Sequence, residues 1–217
     1  HGDSLHKLNR YWWQEPDWVS DLSKHPLWNM ASGPINFTSV AGGQLAFGAA
    51  YYSTDSAKTW GPIEPENELR AVCSIESGYV TWIGGNGIFK KRIYGRDWTD
   101  LELNDVFLTD LRFESDAIGW GLTRAGKILY FTSGGSAFEE KIEGKSSFMN
   151  HFDFEDSYAI AVGQEGEMLV STDGGENWSR RQLDSKIDLN DVQILNEEAL
   201  IVGEGGVLIR IQLSSFL

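Results

Sequence analysis

Residues 161–178 read AVGQEGEMLVSTDGGENW, and looser copies of that string recur along the chain. The string joins the end of an apolar run to a glycine turn, a second run (EMLVS) and a Ser-Thr-Asp-Gly-Gly turn that Trp178 closes. Related strings stand at 45–60 (LAFGAAYYSTDSAKTW), 80–98 (VTWIGGNGIFKKRIYGRDW), 118–138 (IGWGLTRAGKILYFTSGGSAF) and 200–212 (LIVGEGGVLIRIQ). The leading glycines Gly48, Gly84, Gly121, Gly163 and Gly203 are separated by 36, 37, 42 and 40 residues. The closing aromatics Trp60, Trp98, Phe138 and Trp178 are separated by 38, 40 and 40. Two independent markers with one period define a repeat.

Each copy has the same internal order. An alternating run such as Asp110–Glu114 or Asp191–Leu195 is followed by a second short run (AIGWG, AIAVG, ALIVG), a glycine turn, a third run and a more polar fourth. Alternation of period two with turn residues every 8–12 positions reads as strands, roughly four per repeat. A helical solenoid of similar period fails, because no copy holds a 10–12-residue run with helical spacing. Four short strands in a repeat of roughly 40 residues predict an all-β chain, a β-propeller of about five four-stranded blades. Residues 1–217 form one domain in this reading, with repeats near 35–68, 69–107, 108–150, 151–190 and 191–217. The last copy has room for about three strands of ordinary length. The N-terminal stretch Leu8–Glu15 (LNRYWWQE) is therefore expected to close the ring as the missing outer strand. Trp18–Met30 reads as partly helical, interrupted by Pro26. A six-bladed ring is the rival if residues 10–35 make a blade of their own.

Composition agrees with a turn-rich β protein, with 24 Gly, 5 Pro and nine Trp among 217 residues. The formal net charge is −14. A field of that sign repels nucleic acid and anionic membrane surfaces and favours basic partners. No run of 18 apolar residues predicts a membrane-inserted helix, and a chain that opens at His1 leaves the compartment open. Cys73 is the single cysteine, so no intrachain disulfide forms. It lies in an apolar run (RAVCSI) and reads as a small buried hydrophobe.

Ser171-Thr172-Asp173-Gly174-Gly175-Glu176-Asn177-Trp178 fits the Asp-box pattern Ser/Thr-x-Asp-x-Gly-x-x-Trp. Ser53–Trp60 fits with Ala57 in place of the glycine, whereas residues 91–98 and 131–138 keep only parts of it. The chain resembles BNR/Asp-box repeat proteins. Runs such as LRFESDAIGWGLTRAGKILYFTSGG resemble more specifically the photosystem II assembly/stability factor type of repeat. The resemblance implies a propeller and is compatible with an assembly factor. The box itself reads as turn chemistry: Asp55 and Asp173 accept backbone N–H groups, Gly174 or Gly175 takes a conformation open to glycine, and Trp60 and Trp178 pack back between strands.

Asp-box proteins also include sialidases, which need three converging arginines and a Tyr–Glu pair. Only Arg70 and Arg112 start a repeat's first strand here, and the Arg-Ile-Pro opening of many sialidases is absent. The four histidines show no metal spacing, no Ser sits in a G-x-S-x-G elbow, and GGNG at 84–87 lacks the lysine and helix of a phosphate loop. No catalytic residue, metal or cofactor is expected. Loops at one end of a propeller bring equivalent positions together, which nominates Trp82, Asn86, Arg112, Trp120, Arg124, Glu165 and Glu204 for binding. Trp and Arg are common hot-spot residues, although both tryptophans read equally as core between blades. The expected function is a non-catalytic, monomeric protein-binding propeller whose partner carries a basic surface. It would serve as an assembly factor or as an inhibitor or immunity-type partner. A carbohydrate-active propeller, sialidase-like or lectin, is the alternative.

Overall fold

A computed structural model describes the backbone of residues 27–31, 39–43, 50–53, 61–63, 69–75, 79–93, 96–103, 105–145 and 148–216, with side chains from residue 69 onward. The repeat reading treats the chain as one domain. Its packing divides it into two compact units, His1–Asp116 and Ala117–Leu217.

In the first unit, β1 (Leu27–Ala31), β2 (Ser39–Gly43), β3 (Ala50–Ser53) and β4 (Gly61–Ile63) form an antiparallel sheet in chain order. The same order repeats in β5 (Leu69–Ile75), β6 (Val80–Gly85), β7 (Phe89–Ile93) and β8 (Thr99–Asp100). Strand β9 (Leu108–Phe113) lies against β5 and β6. Leu27–Ala31 falls in the stretch expected to be partly helical and is a strand. Pro26 immediately precedes it, and proline is tolerated at a strand's start because its missing N–H removes no ladder bond there. The first repeat accordingly begins at Leu27 rather than near residue 35. The closing segment Leu8–Glu15, Gly48, Asp55 and Trp60 all lie outside the described residues.

The second unit opens with the antiparallel strands β10 (Gly119–Thr123), β11 (Ile128–Thr132) and β12 (Ala137–Ile142). A four-stranded sheet follows, β13 (Met149–Glu155), β14 (Tyr158–Gly163), β15 (Glu167–Ser171) and β16 (Ser179–Gln182). The last sheet has three strands, β17 (Leu189–Leu195), β18 (Glu198–Gly203) and β19 (Leu208–Gln212).

Register shows which residues are equivalent. Four first strands start with the same irregularity: Leu27 faces Gly43, Leu69 faces Gly85, Met149 faces Gly163 and Leu189 faces Gly203, with one residue bulged out immediately after. A bulge bends the strand and sharpens its twist at the same point of these repeats. The glycines that correspond are therefore 43, 85, 163 and 203. Gly84 is displaced by one position from that register.

The core is made between successive sheets. Ile160, Val162, Met168 and Val170 on β14 and β15 pack against Leu189, Val192 and Ile194 of β17. Trp120, Leu122 and Ile128 on β10 and β11 pack likewise against Met149, Phe152 and Phe154 of β13. Each such side chain taken from water contributes roughly 1.5–3 kcal/mol before entropy is counted. The period-two apolar pattern of the first strand in each repeat is the requirement for covering the sheet before it.

Candidate functional site

The turn of residues 171–178 is satisfied almost wholly from within. The Ser171 and Asp173 side chains are hydrogen-bonded at 2.8 Å, and Gly175 N–H donates to Ser171 Oγ at 2.9 Å. Asp173 Oδ1 accepts the Asn177 backbone N–H at 2.9 Å and Oδ2 the Asn177 side-chain amide at 2.7 Å. Trp178 Nε1 donates to the Gly175 carbonyl at 2.8 Å, and its ring meets Phe154 edge-on. Gly175 sits at φ +91°, and a Cβ there would stand 2.7 Å from Trp120 Cη2. The turn staples the sheet's outer strands and closes over the core.

The same bonds hold the Asp173 carboxyl below its ordinary range, the Asn177 backbone N–H first, then the Asn177 amide and the Ser171 hydroxyl. Because the folded value is depressed, its stabilisation is complete above the unfolded pKa of about 3.9 and is lost as pH falls through the folded value. Asp173→Asn should therefore flatten the acid limb of a melting-temperature profile between about pH 2 and pH 5. An unchanged limb would count against this role.

The two tryptophans nominated for binding are core residues. Trp82 is 0 % exposed and stacks on Phe113 with centroids 3.8 Å apart. Trp120 is 4 % exposed, between Tyr130 and Phe154. They occupy equivalent positions, and the register gives Val40, Ile160 and Leu200 as their counterparts in the other repeats. A central position on a sheet covered by the next first strand leaves a large indole no exposed face. Cys73 is half-buried, accepts the Phe113 N–H at 3.1 Å, and burial pushes its thiol pKa up, which disfavours the reactive thiolate.

The remaining nominees divide between the units. In the first, Asn86 is exposed in the tight Gly85–Ile88 turn and bridges to Phe107, while Arg112 is half-buried on β9. In the second, Arg124, Glu165 and Glu204 occupy the turns that join the second strand to the third in successive repeats. These turns are tied to the chain that enters each first strand. Met149 N–H donates to the Arg124 carbonyl, Gln164 N–H to that of Phe148, and Glu204 N–H to that of Asp188, at 2.8–3.0 Å. Glu165 has φ +55°, a conformation rare for a side-chain-bearing residue, and its N–H donates to Asp188 Oδ1 at 2.8 Å. Its own carboxylate is exposed, 3.8 Å from Lys186 Nζ.

One repeat position, held by three residues, went unread in the sequence. Phe107, Phe148 and Asp188 each immediately precede a first strand, and the first two meet arginines. The Arg124 guanidinium lies 3.5 Å from the Phe148 ring centroid, and that of Arg70 lies 5.8 Å from the Phe107 centroid. A cation–π contact holds the planar Arg124 guanidinium against Phe148 at the turn. Aligning the copies on the first strand instead of on the glycines would have exposed this column. The arrangement offers fixed hydrogen-bonding groups of both signs and a folded turn scaffold. Among the described residues no three His, Cys, Asp or Glu side chains stand together as a metal site, and no helix is long and apolar enough to cross a membrane.

Residues 90–199 match the family model of the photosynthesis system II assembly factor YCF48, which covers half of the chain. The chain belongs to the YCF48 family. The photosystem II assembly lipoprotein Ycf48 of Picosynechococcus sp. is 25 % identical over 193 residues, covering 77 % of this chain and 54 % of the relative. The chain thus spans about half the length of that curated relative. The solved structure of YCF48 bound to D1 peptide superposes with a TM-score of 0.57 at 19 % identity, over 79 % of this chain and 59 % of that one. The WD40 β-propeller domain of Doa1 superposes at 0.65 with 7 % identity, over 88 % and 66 % of the two chains. Such low identities establish fold alone. This YCF48-family chain is an all-β protein of propeller type, as its repeat indicated.

Proposed function

We propose that this YCF48-family chain is a non-catalytic assembly factor that holds a segment of another protein on its turn face. What carries this reading is the build of the turns: Arg124 on Phe148, and Glu165 held in a left-handed conformation with its N–H on Asp188. A side-chain-bearing residue held in a left-handed conformation costs stability, and such costs concentrate where a surface has work to do. The family match points the same way, and the solved relative bound to D1 peptide supplies a concrete probe. The acidic balance of the chain favours a segment that carries basic residues, and the chain acts as a monomer in this reading.

The test measures D1 peptide binding by fluorescence anisotropy on the chain and on Arg124→Glu and Glu165→Lys. Each reversal should weaken binding about tenfold, equivalent to about 1.4 kcal/mol, with the thermal midpoint nearly unchanged. If both variants unfold and binding merely follows folding, the turn face is not the site.

A further inference from the structure

The turns Gln164–Gly166 and Glu204–Gly206 are built alike. The N–H of the first residue, Gln164 or Glu204, donates to the carbonyl that enters its own sheet's first strand, Phe148 or Asp188, at 2.8 and 2.9 Å. The middle residue is left-handed in both, with φ +55° at Glu165 and +67° at Gly205. Glycine takes that conformation freely, whereas a residue with a Cβ is strained there.

Glu165 has a support that compensates. Its N–H donates to Asp188 Oδ1 at 2.8 Å, a charge-assisted bond from the chain that enters the following sheet. The turn is also held by the Leu183 N–H on the Gly166 carbonyl, at 2.9 Å, and by the Gln182 amide on the Glu165 carbonyl, at 3.3 Å. All of these bonds use the turn's main chain, so a glycine in place of Glu165 would make them equally well. The backbone therefore does not account for a glutamate at this point. Among the described residues its carboxylate meets only the ammonium of Lys186, at 3.8 Å, too long for a hydrogen bond. The two side chains are 67 % and 74 % exposed, and a pair so placed gains little. A carboxylate stands fixed at the apex of a braced turn, with a loosely held cation of its own chain beside it.

We propose that Glu165 selects a Lys or Arg of the segment bound on the turn face, with Asp188 as its positioning residue and Lys186 holding the cation's place until the segment arrives. This rests on the turn-face reading above. The incoming cation displaces Lys186 and meets a carboxylate whose backbone is already ordered, so less freedom is lost on binding. The formal charge of −14 favours the same sign of ligand group.

The probe is the D1 peptide together with copies in which one residue at a time is replaced by Lys, measured by fluorescence anisotropy on the full chain. One Lys position should tighten binding about fivefold, and Glu165→Gln should erase that gain. Lys186→Ala should enlarge the gain about two- to threefold, since the competing ammonium is gone. Asp188→Ala should lose most of it, whereas Asp188→Asn, which keeps the Oδ1 acceptor, should retain it. Glu165→Gly should remove the gain without lowering the thermal midpoint, because glycine suits that backbone. The proposal is overturned if no Lys position binds tighter to the native chain than to Glu165→Gln. It is overturned equally if Asp188→Asn loses the gain as Asp188→Ala does, since Asp188 would then act through its own charge. A midpoint several degrees lower for Glu165→Gly would also overturn it, by making the side chain structural. In each case a D1 peptide that still binds and still responds to Arg124→Glu leaves the turn-face reading standing. If no peptide of the set binds, both fall.

Discussion

Replacement of Arg180 by Ala is expected to destabilise the second unit by about 3–5 kcal/mol, the usual cost of stranding one member of a buried ion pair. Arg180 on β16 bonds the carboxylate of Glu167 on β15, and the two side chains are 16 % and 12 % exposed. Its other terminal nitrogen donates to the carbonyls of Gly126 (3.1 Å) and Glu143. One guanidinium therefore holds two strands of one repeat and two loops of the preceding one, with its planar fork matching several acceptors at once. Removing it leaves the Glu167 carboxylate charged, largely out of water and without its cation. Arg180→Lys should recover only part of the loss, since an ammonium cannot reach the same set of acceptors. The paired change Arg180→Met with Glu167→Leu should recover at least half, because it removes the buried charge along with its partner. Urea unfolding of the four proteins decides between these. If the double variant is as unstable as Arg180→Ala, the loss comes from the two loop carbonyls and not from the charge.

No reading of the sequence could have found Arg180 in that role. Its partners lie 13, 37 and 54 residues away, and nothing in SRRQ sets it apart from Arg181. What was legible is what a repeat prints in every copy: strands of alternating polarity, the closing turns, and a period that fixes the fold type. The alignment of copies was less secure, since glycines occur in both the second strand and the turn after it. Choosing Gly84 or Gly121 shifts the register by one or two residues. Trp82 and Trp120 were correctly paired with each other despite this, yet their burial depends on which strand covers them, and that contact is not local. The helical reading of Trp18–Met30 failed at its end for a related reason. Leu27 and Met30 are spaced for one helix face, but a bulged first strand places its first and fourth residues on one side too. Glu165 was nominated for its charge, whereas its left-handed backbone shows only by comparison with Gly205, its counterpart in the next turn.

Gly163→Ala should cost about 3 kcal/mol or more, although alanine suits the backbone conformation there. Gly163 has φ −157°, an extended value open to any residue, so conformational freedom is not what the position demands. The demand is space. A Cβ would fall 2.2 Å from the Phe148 carbonyl oxygen and 2.7 Å from Met149 Sδ. The bulge after Met149 brings the entering chain directly over Gly163, and the same carbonyl accepts the Gln164 N–H at 2.8 Å. An added methyl can be accommodated only by moving that carbonyl, which loosens the hydrogen bond and shifts Met149 out of the core. Gly174 poses the opposite case, with φ +76° and nothing within 4 Å of a Cβ. Gly174→Ala carries only the left-handed penalty, about 1–2 kcal/mol. Chemical denaturation of both variants should rank Gly163→Ala as the more damaging. If Gly174→Ala proves the costlier, backbone conformation and not close approach governs the glycines of this repeat. The bulge would then not be the element that positions the turn face.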